Sequence, residues 1–196
     1  MSRTAEITRA TGETDITVSL SLDGSGRGKR RTGVGFFDHM LDAFARHGGL
    51  DLEVEAQGDL QTGSHHTVED VGIVIGQALD EALSDRAGIT RFGQAVVPMD
   101  DARASAAIDV SGRPFVAFDG LEIPDRVIGG FETGLVVEFL RAVANNAKLT
   151  VHVTVERGED PHHMVEACFK AFARALREAV SYDPNVSGIP STKGLL

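Results

Sequence analysis

A five-residue pattern that occurs twice constrains the fold of this chain more than any other feature. The sequence reads His-His-x-x-Glu at residues 65–69 and again at residues 162–166. The two copies begin 97 residues apart (162 − 65), about half of the 196-residue chain, and an apolar-periodic stretch typical of a helix follows each. This spacing predicts a duplicated fold, and the repeated histidines and glutamates predict a metal site with two ions.

The repeat extends beyond this pattern. At an offset of 99, His39 aligns with Glu138, each in a stretch with helical periodicity. Alternating apolar residues also align at this offset: Leu50, Leu52 and Val54 with Leu149, Val151 and Val153. Each half then reads helix, strand, loop, histidine motif and long helix. We therefore predict an α+β fold (an α/β sandwich) made of two similar halves, residues 1–93 and 94–196, with the sheets outside and four helices packed between them.

Local patterns place the individual elements. Strands are predicted at residues 16–22, 50–56, 96–99, 104–110, 114–118 and 149–155. Helices are predicted at residues 37–48, 64–88, 133–146 and 161–181, the last capped by Asp160 and opened by Pro161. The glycine-rich segment Gly24–Lys29 is predicted to be the turn of a hairpin.

Charge and composition exclude several kinds of partner. A net charge of −10 argues against nonspecific binding to nucleic acid or anionic membranes. No apolar run approaches the roughly 20 residues that cross a bilayer, and the first residues lack the apolar core of a secretory signal. The single Cys168 has no partner for an internal disulfide, which fits a cytoplasmic protein.

Helix geometry indicates how each motif would hold metal. His65 and Glu69 lie four residues apart and thus about 40° apart on one helix face, so they can bind the same ion. His66 points about 100° away from His65 and would serve a second ion. The second motif repeats this geometry with His162, Glu166 and His163. Mixed imidazole and carboxylate ligands suit manganese, iron, zinc or cobalt rather than calcium.

The repeat also separates ligands from neighbours. Asp70 lies four residues after His66, but it aligns with Ala167, whereas Glu69 aligns with Glu166. The glutamates are therefore the predicted ligands, and Asp70 is expected to support a histidine by hydrogen bonding. His39 and its counterpart Glu138 are further ligand candidates, although Glu138 could equally be a solvated helix residue.

Several other segments accompany the two histidine motifs in a definite order. They are Phe36–Leu41, Phe44–Gly48, His65–Asp70, Arg91–Gly93, Pro98–Asp100, Asp109–Pro114, His162–Glu166, Phe169–Ala171 and Pro190–Gly194. In this order, over nearly the whole chain, they resemble the imidazoleglycerol-phosphate dehydratase family of histidine biosynthesis. The resemblance implies a duplicated fold like domain 2 of ribosomal protein S5, and a hydro-lyase that converts D-erythro-imidazole glycerol phosphate to imidazole acetol phosphate. It further implies two Mn²⁺ ions per active site, and trimers that assemble into a large octahedral shell with active sites between subunits.

The resemblance also implies roles for individual residues. The implied metal ligands are His39, His65, His66, Glu69, His162, His163 and Glu166, with Glu138 as a possible addition. The implied substrate-binding residues are Glu13, His39, His47, Arg91, Arg113, Ser191 and Lys193, of which the last four match the substrate-binding and phosphate-binding positions of the family. The carboxylates implied in catalysis are Glu13, Glu69 and Glu166, and Glu13 is the candidate for moving protons.

The chemistry explains why these residue types are needed. The carbon that loses its proton carries no carbonyl, so its C–H bond is only weakly acidic. If two metal ions hold the imidazole ring as an imidazolate, the ring can act as an electron reservoir, and loss of the neighbouring hydroxyl gives a diazafulvene-like intermediate. Proton loss then gives the enol of the product, while basic residues hold the phosphate.

Two other functions are compatible with the ligands alone. One is a different dinuclear metal enzyme, a hydrolase or an oxygenase, although the phosphate-side motifs have no reason to accompany it. The other is a ferritin-like metal-storing shell, which would require four long helices without the alternating strands predicted here.

Overall fold

Two four-stranded sheets enclose four helices in the computed structural model, which describes residues 3–196. The strands are β1 (Thr4–Ala10), β2 (Thr14–Ser21), β3 (Arg30–Arg31), β4 (Asp51–Gly58), β5 (Phe92–Met99), β6 (Ala102–Asp109), β7 (Phe115–Gly120), β8 (Val127–Ile128), β9 (Phe131–Glu132) and β10 (Thr150–Arg157). The helices are α1 (Gly35–Gly48), α2 (His65–Leu83), α3 (Leu135–Ala147) and α4 (Pro161–Val180), with a short 3-10 helix at Leu60–Thr62.

The two sheets share one topology, which confirms the predicted fold. The first has the strand order β1-β2-β4-β3 and the second β5-β6-β10-β7. In both, three antiparallel strands are followed by a fourth strand parallel to its neighbour. Strands β8 and β9 form a separate small hairpin. The division at residue 93 stays a prediction.

The helices join the two halves in one core. Helix α1 packs against α4, and α2 packs against α3, so each contact pairs a helix of the first half with one of the second. Phe139 on α3 stacks on Phe169 of α4 with ring centroids 5.0 Å apart and meets Phe37 of α1 edge-on at 5.5 Å. All three rings are fully buried, so their burial stabilises the association of the halves as well as each half.

One strand was missed and one local expectation was wrong. Strand β1 was not predicted, because it is an edge strand on which Ala5 alone is buried, so its apolar alternation is weak. Gly24–Lys29 does not turn a hairpin: β3 pairs with β4 in parallel, not with β2. The segment instead lies along β4, where the N–H of Leu52 donates to Arg27 and that of Val54 donates to Lys29. A Cβ on Gly28 would lie 2.0 Å from the carbonyl oxygen of Leu52, so this approach requires glycine.

The start of α4 matches its prediction. Pro161 occupies the first turn, and the Asp160 carboxylate accepts the N–H of His162 at 2.9 Å. This cap fixes the position of the second histidine motif on the first turn. Between residues 3 and 196, no helix combines the length and the apolar character that crossing a membrane requires. The strands also exclude the ferritin-like alternative, since that fold is a bundle of four helices.

Candidate active site

Three predicted ligands from both halves meet at the contact between α1 and α4. One ligand atom from each of His39, His162 and Glu166 lies within 4.8 Å of the others. The Nε2 atoms of His162 and His39 lie 3.3 and 3.7 Å from Oε2 of Glu166. The rings of Phe36 and His162 meet in a T-shaped contact with centroids 4.8 Å apart. Two imidazole nitrogens and one carboxylate oxygen at this spacing fit a divalent first-row metal such as Mn²⁺.

Glu166 is the buried member of this group. Burial alone would raise the pKa of its carboxyl, but the Lys170 ammonium 2.6 Å from Oε1, together with His39 and His162, holds that pKa below its usual value. Glu166 is therefore a carboxylate, the form that can bind a metal. Lys170 also lies 3.3 Å from the sulfur of Met99. Its position next to Glu166 was not predicted, although it lies one helical turn further along α4.

The first motif has only part of this arrangement within one chain. His65 Nε2 and Glu69 Oε2 are 3.6 Å apart, as the i, i+4 spacing predicts. Glu138, the counterpart of His39, instead forms an ion pair with Arg141 at 2.7 Å. Over residues 3–196, only one group of three side chains of metal-binding type comes together, and it consists of His39, His162 and Glu166. Whether Glu138 is a ligand stays a prediction.

The second histidine of each motif is held by an aspartate. His66 Nδ1 lies 3.0 Å from Asp59, and His163 Nδ1 lies 2.5 Å from Asp101. These hydrogen bonds raise the pKa of both imidazoles. Neither aspartate was predicted. Glu13, on the turn between β1 and β2, faces Nε2 of His66 at 3.8 Å, so the predicted catalytic carboxylate lies beside the first motif.

Asp70 does not support a histidine in the way predicted. Its carboxylate is buried against strand residues, where it accepts the hydroxyl of Thr14 and forms an ion pair with Arg9 at 2.7 Å. The i+4 spacing placed Asp70 and His66 on the same side of α2, but the side chain reaches the sheet instead. Asp59 instead supplies the carboxylate that hydrogen-bonds to His66, the contact that was expected of Asp70.

His47, a predicted substrate residue, lies in the last turn of α1. Partial burial and the nearby cations Lys170 and Arg174 lower the pKa of its imidazole. The side chain is therefore neutral at pH 7, able to donate one hydrogen bond and accept another.

Arg91 lies at the end of the second sheet opposite to Asp101 and His163, and three of its side-chain nitrogens are hydrogen-bonded. Its Nε and Nη2 donate to the two carboxylate oxygens of Asp109 at 2.7 and 3.2 Å. Its Nη1 donates to the carbonyl of Pro190 at 2.8 Å, and its guanidinium stacks over the ring of Phe92. Arg91 thus connects the second sheet to the C-terminal segment that carries Ser191 and Lys193.

The other predicted phosphate-binding residues belong to this C-terminal segment and to the turn after β6. Ser191 accepts the N–H of Lys193 through its hydroxyl at 3.2 Å. Leu196 packs on Gly112, where a Cβ would come within 2.3 Å of the Leu196 carbonyl carbon, and Gly112 immediately precedes Arg113. The structure therefore places all four predicted phosphate-binding residues in one region.

This region is far from the group formed by His39, His162 and Glu166 of the same chain. Arg91 precedes β5 and the Asp101 that binds His163 follows it, so the eight residues of β5 separate them by about 26 Å. Helix α4 gives the same result: the N–H of Arg91 bonds to Ala179, about 25 Å along the helix from His162.

Comparison with known proteins places the chain in a family. Residues 32–176 match the family model described as imidazoleglycerol-phosphate dehydratase. Curated proteins of that name from Acetivibrio thermocellus and Geobacter metallireducens are 54% and 55% identical over 196 residues, which is 100% of this chain and of each relative.

Solved structures agree. Imidazoleglycerol-phosphate dehydratase from Staphylococcus aureus is 42% identical with a TM-score of 0.83, over 92% of this chain and 99% of that chain. The enzyme from Pyrococcus furiosus, solved in complex with (S)-C348, is 39% identical with a TM-score of 0.83, over 97% and 100%. The chain belongs to the imidazoleglycerol-phosphate dehydratase family.

Proposed function

We propose that this protein removes water from D-erythro-imidazole glycerol phosphate to give imidazole acetol phosphate in histidine biosynthesis, with two Mn²⁺ ions per active site. The observation that carries the proposal is the group of His39, His162 and Glu166, whose ligand atoms lie together in a chain of the dehydratase family. The proposal includes a cytoplasmic location, which the unpaired Cys168 and the biosynthetic chemistry support.

The residues would divide the chemistry between them. The metal ions, when bound by the two histidine motifs, supply Lewis acidity toward the imidazole ring. Glu13 is placed to take up and return protons, because its carboxylate lies at the edge of the first motif, 57% exposed and 3.8 Å from His66 Nε2. Glu69 and Glu166 supply negative charge beside the histidines. With the ring held as an imidazolate, the hydroxyl on the adjacent carbon would leave as water, taking a proton from the site, and Glu13 would accept a proton from the next carbon to give the enol of the product.

The distances support active sites shared between subunits. The substrate, an imidazole with a three-carbon phosphate chain, is about 10 Å long by ordinary bond lengths. The substrate therefore cannot reach from His162 to Arg91 of the same chain, because these two residues lie about 25 Å apart along α4. A second copy of the chain would have to supply the phosphate-binding side. We therefore propose a homo-oligomer, of trimers assembled into an octahedral shell, that places the phosphate-binding residues of one subunit near the histidines of another.

Subunit complementation tests this sharing. His162→Ala removes a metal ligand, and Arg113→Ala removes a proposed phosphate contact, so each variant should be inactive alone. If different subunits supply the two residues, co-expression of the variants should restore sites that lack neither. Recovery of activity well above either single variant is expected. No recovery, in mixed oligomers shown to contain both chains, would refute sharing.

Metal binding separates the proposed roles. His65→Ala and Glu166→Ala should lose both Mn²⁺ and turnover, whereas Glu13→Gln should keep the metal and lose turnover. His152→Ala is the matched control, because His152 lies on the exposed face of β10 against Phe115. Retained turnover in Glu13→Gln would remove Glu13 from its role, and a metal loss in His152→Ala would show that the binding assay is not specific.

A further inference from the structure

Two aspartates contact corresponding nitrogens in the two halves. His66 and His163 are the second histidines of their motifs, and in each the Nδ1 atom is hydrogen-bonded to a carboxylate of Asp59 or Asp101. The Nε2 atoms face Glu13 at 3.8 Å and Asp100 at 3.6 Å, both beyond hydrogen-bonding distance. We propose that Asp59 and Asp101 are positioning residues that hold His66 and His163 in the tautomer whose Nε2 can bind a metal. The proposal rests on the metal-dependent function proposed above.

The two aspartates are not copies of one another in the repeat. At the 99-residue offset that aligns β4 with β10, Asp59 corresponds to Gly158, and at the 97-residue offset of the motifs it corresponds to Glu156, which pairs with Arg103 instead of a histidine. Asp59 follows β4 and precedes His66 by seven residues, whereas Asp101 lies in the turn between β5 and β6 and precedes His163 by 62. Different chain positions therefore deliver a carboxylate to the same ring nitrogen. This coincidence indicates a requirement at that nitrogen and not a relic of duplication.

Asp101 is held firmly by the backbone. Its Oδ2 accepts the N–H groups of Glu159 at 2.6 Å and Asp160 at 3.0 Å, just before α4, while its Oδ1 faces His163. These bonds lower the freedom of the carboxylate and so fix the direction in which the His163 ring points.

Asp59 is held in a comparable way. Its N–H donates to the carbonyl of Glu13 at 3.1 Å, and its carboxylate accepts the hydroxyl of Thr62 at 3.1 Å. We call each aspartate and its histidine a dyad: Asp59–His66 is the first and Asp101–His163 the second. The first dyad connects the β1–β2 turn to the start of α2, and the second connects the β5–β6 turn to the start of α4.

The chemistry requires such a partner. A neutral imidazole has one N–H and one lone pair, and a metal binds the nitrogen with the lone pair. A carboxylate can only accept, so it retains the proton on Nδ1 and leaves Nε2 for the metal. An amide can donate, so replacing the carboxylate by an amide can reverse this choice.

Asp101→Asn is therefore the main test. The two backbone N–H groups require an oxygen at the Oδ2 position, which places the amide NH₂ toward His163 Nδ1 and drives the ring proton to Nε2. We expect the Kd for Mn²⁺, titrated without substrate and followed by the electron paramagnetic resonance of free Mn²⁺, to rise about 10- to 100-fold. In metal-free protein with ¹⁵N-labelled histidine, near pH 9, solid-state NMR should show His163 changing from the Nδ1–H to the Nε2–H tautomer. A loss of packing alone would not produce that change.

The first dyad gives an independent test with a different pattern. In Asp59→Asn the amide can turn, because the Thr62 hydroxyl accepts as well as donates, so an oxygen can still face His66 and the Kd should change less than about three-fold. Asp59→Ala removes the acceptor and should weaken Mn²⁺ binding about ten-fold or more. Asp119→Asn is the control, since this exposed carboxylate bonds to Thr154 on the second sheet.

The outcomes separate this inference from the proposed function. Wild-type protein that binds no Mn²⁺ would refute both. Wild-type protein that binds Mn²⁺, with folded Asp101→Asn and Asp59→Ala variants that bind it equally well and keep their tautomers, would refute the positioning role alone. If Asp101→Asn fails to fold, the contrast between Asp59→Asn and Asp59→Ala decides.

Discussion

Substitution of Gly76 by alanine tests whether the two halves depend on close contact between α2 and α3. Gly76 is buried on α2, facing α3. A Cβ there would lie 2.7 Å from both the Val143 carbonyl oxygen and the Asn146 Cβ, and 3.2 Å from the Ala147 nitrogen. None of these atoms can move by side-chain rotation, because all are backbone atoms or a Cβ. The two helices would have to separate.

The magnitude follows from two opposing effects. Overpacking of this kind costs about 1–3 kcal/mol of unfolding free energy. Alanine in place of glycine inside a helix returns up to about 1 kcal/mol through helix propensity. Subtracting the second effect from the first leaves a net loss of up to about 2 kcal/mol with a central value of about 1 kcal/mol, which for a chain of this size lowers the melting temperature by about 2–4 °C.

Thermal unfolding of metal-free protein measures the loss. All proteins should be compared at one concentration, because association changes apparent stability. Gly35→Ala is the matched control: this glycine also belongs to a helix, but a Cβ there would meet only the Gly129 oxygen at 4.0 Å. A Gly76→Ala variant as stable as Gly35→Ala would show that the α2–α3 contact is not as close as described.

Two other predictions concern titration. The Asp51 carboxylate accepts N–H bonds from Ser25 and Arg27, which lower its pKa to about 2. Because the folded-state pKa of Asp51 is depressed, its contribution to stability is present above the ordinary value of 3.8 and disappears as pH falls toward 2. Thermal unfolding should therefore show a stability difference between wild type and Asp51→Asn at pH 7, and that difference should vanish as pH falls from 3.8 toward 2. Burial raises the pKa of the Cys168 thiol to about 12, so iodoacetamide should label it only after unfolding, and rapid labelling of native protein, read by mass spectrometry, would contradict its burial.

The overall topology was predictable because the duplication supplies the same pattern twice. Alternating residues in β4 and β10 repeat at an offset of 99 and the histidine motifs on α2 and α4 at an offset of 97, a correspondence that no single half would have shown. Strand β1 was not predictable, since an edge strand with one exposed face needs few apolar residues. The path of Gly24–Lys29 depends on bonds to β4, a strand more than twenty residues further along.

The candidate site was predictable in its residue types but not in its grouping. The motif spacing predicted that His162 and Glu166 lie side by side, but the packing of α1 on α4 decides that His39 joins them. The contact between His163 and Asp101 spans 62 residues and depends on a turn, so no local spacing indicates it. The phosphate-binding residues came from family resemblance, because an isolated arginine or lysine carries no distinguishing pattern.

Turnover of the substrate by metal-controlled protein tests the central claim most directly. Purified protein should be stripped with a chelator, reloaded with Mn²⁺, and incubated with D-erythro-imidazole glycerol phosphate while the products are followed by NMR. We expect no conversion by the stripped protein and formation of imidazole acetol phosphate once Mn²⁺ is restored. Absence of product from folded, assembled, manganese-loaded protein would contradict the proposed function.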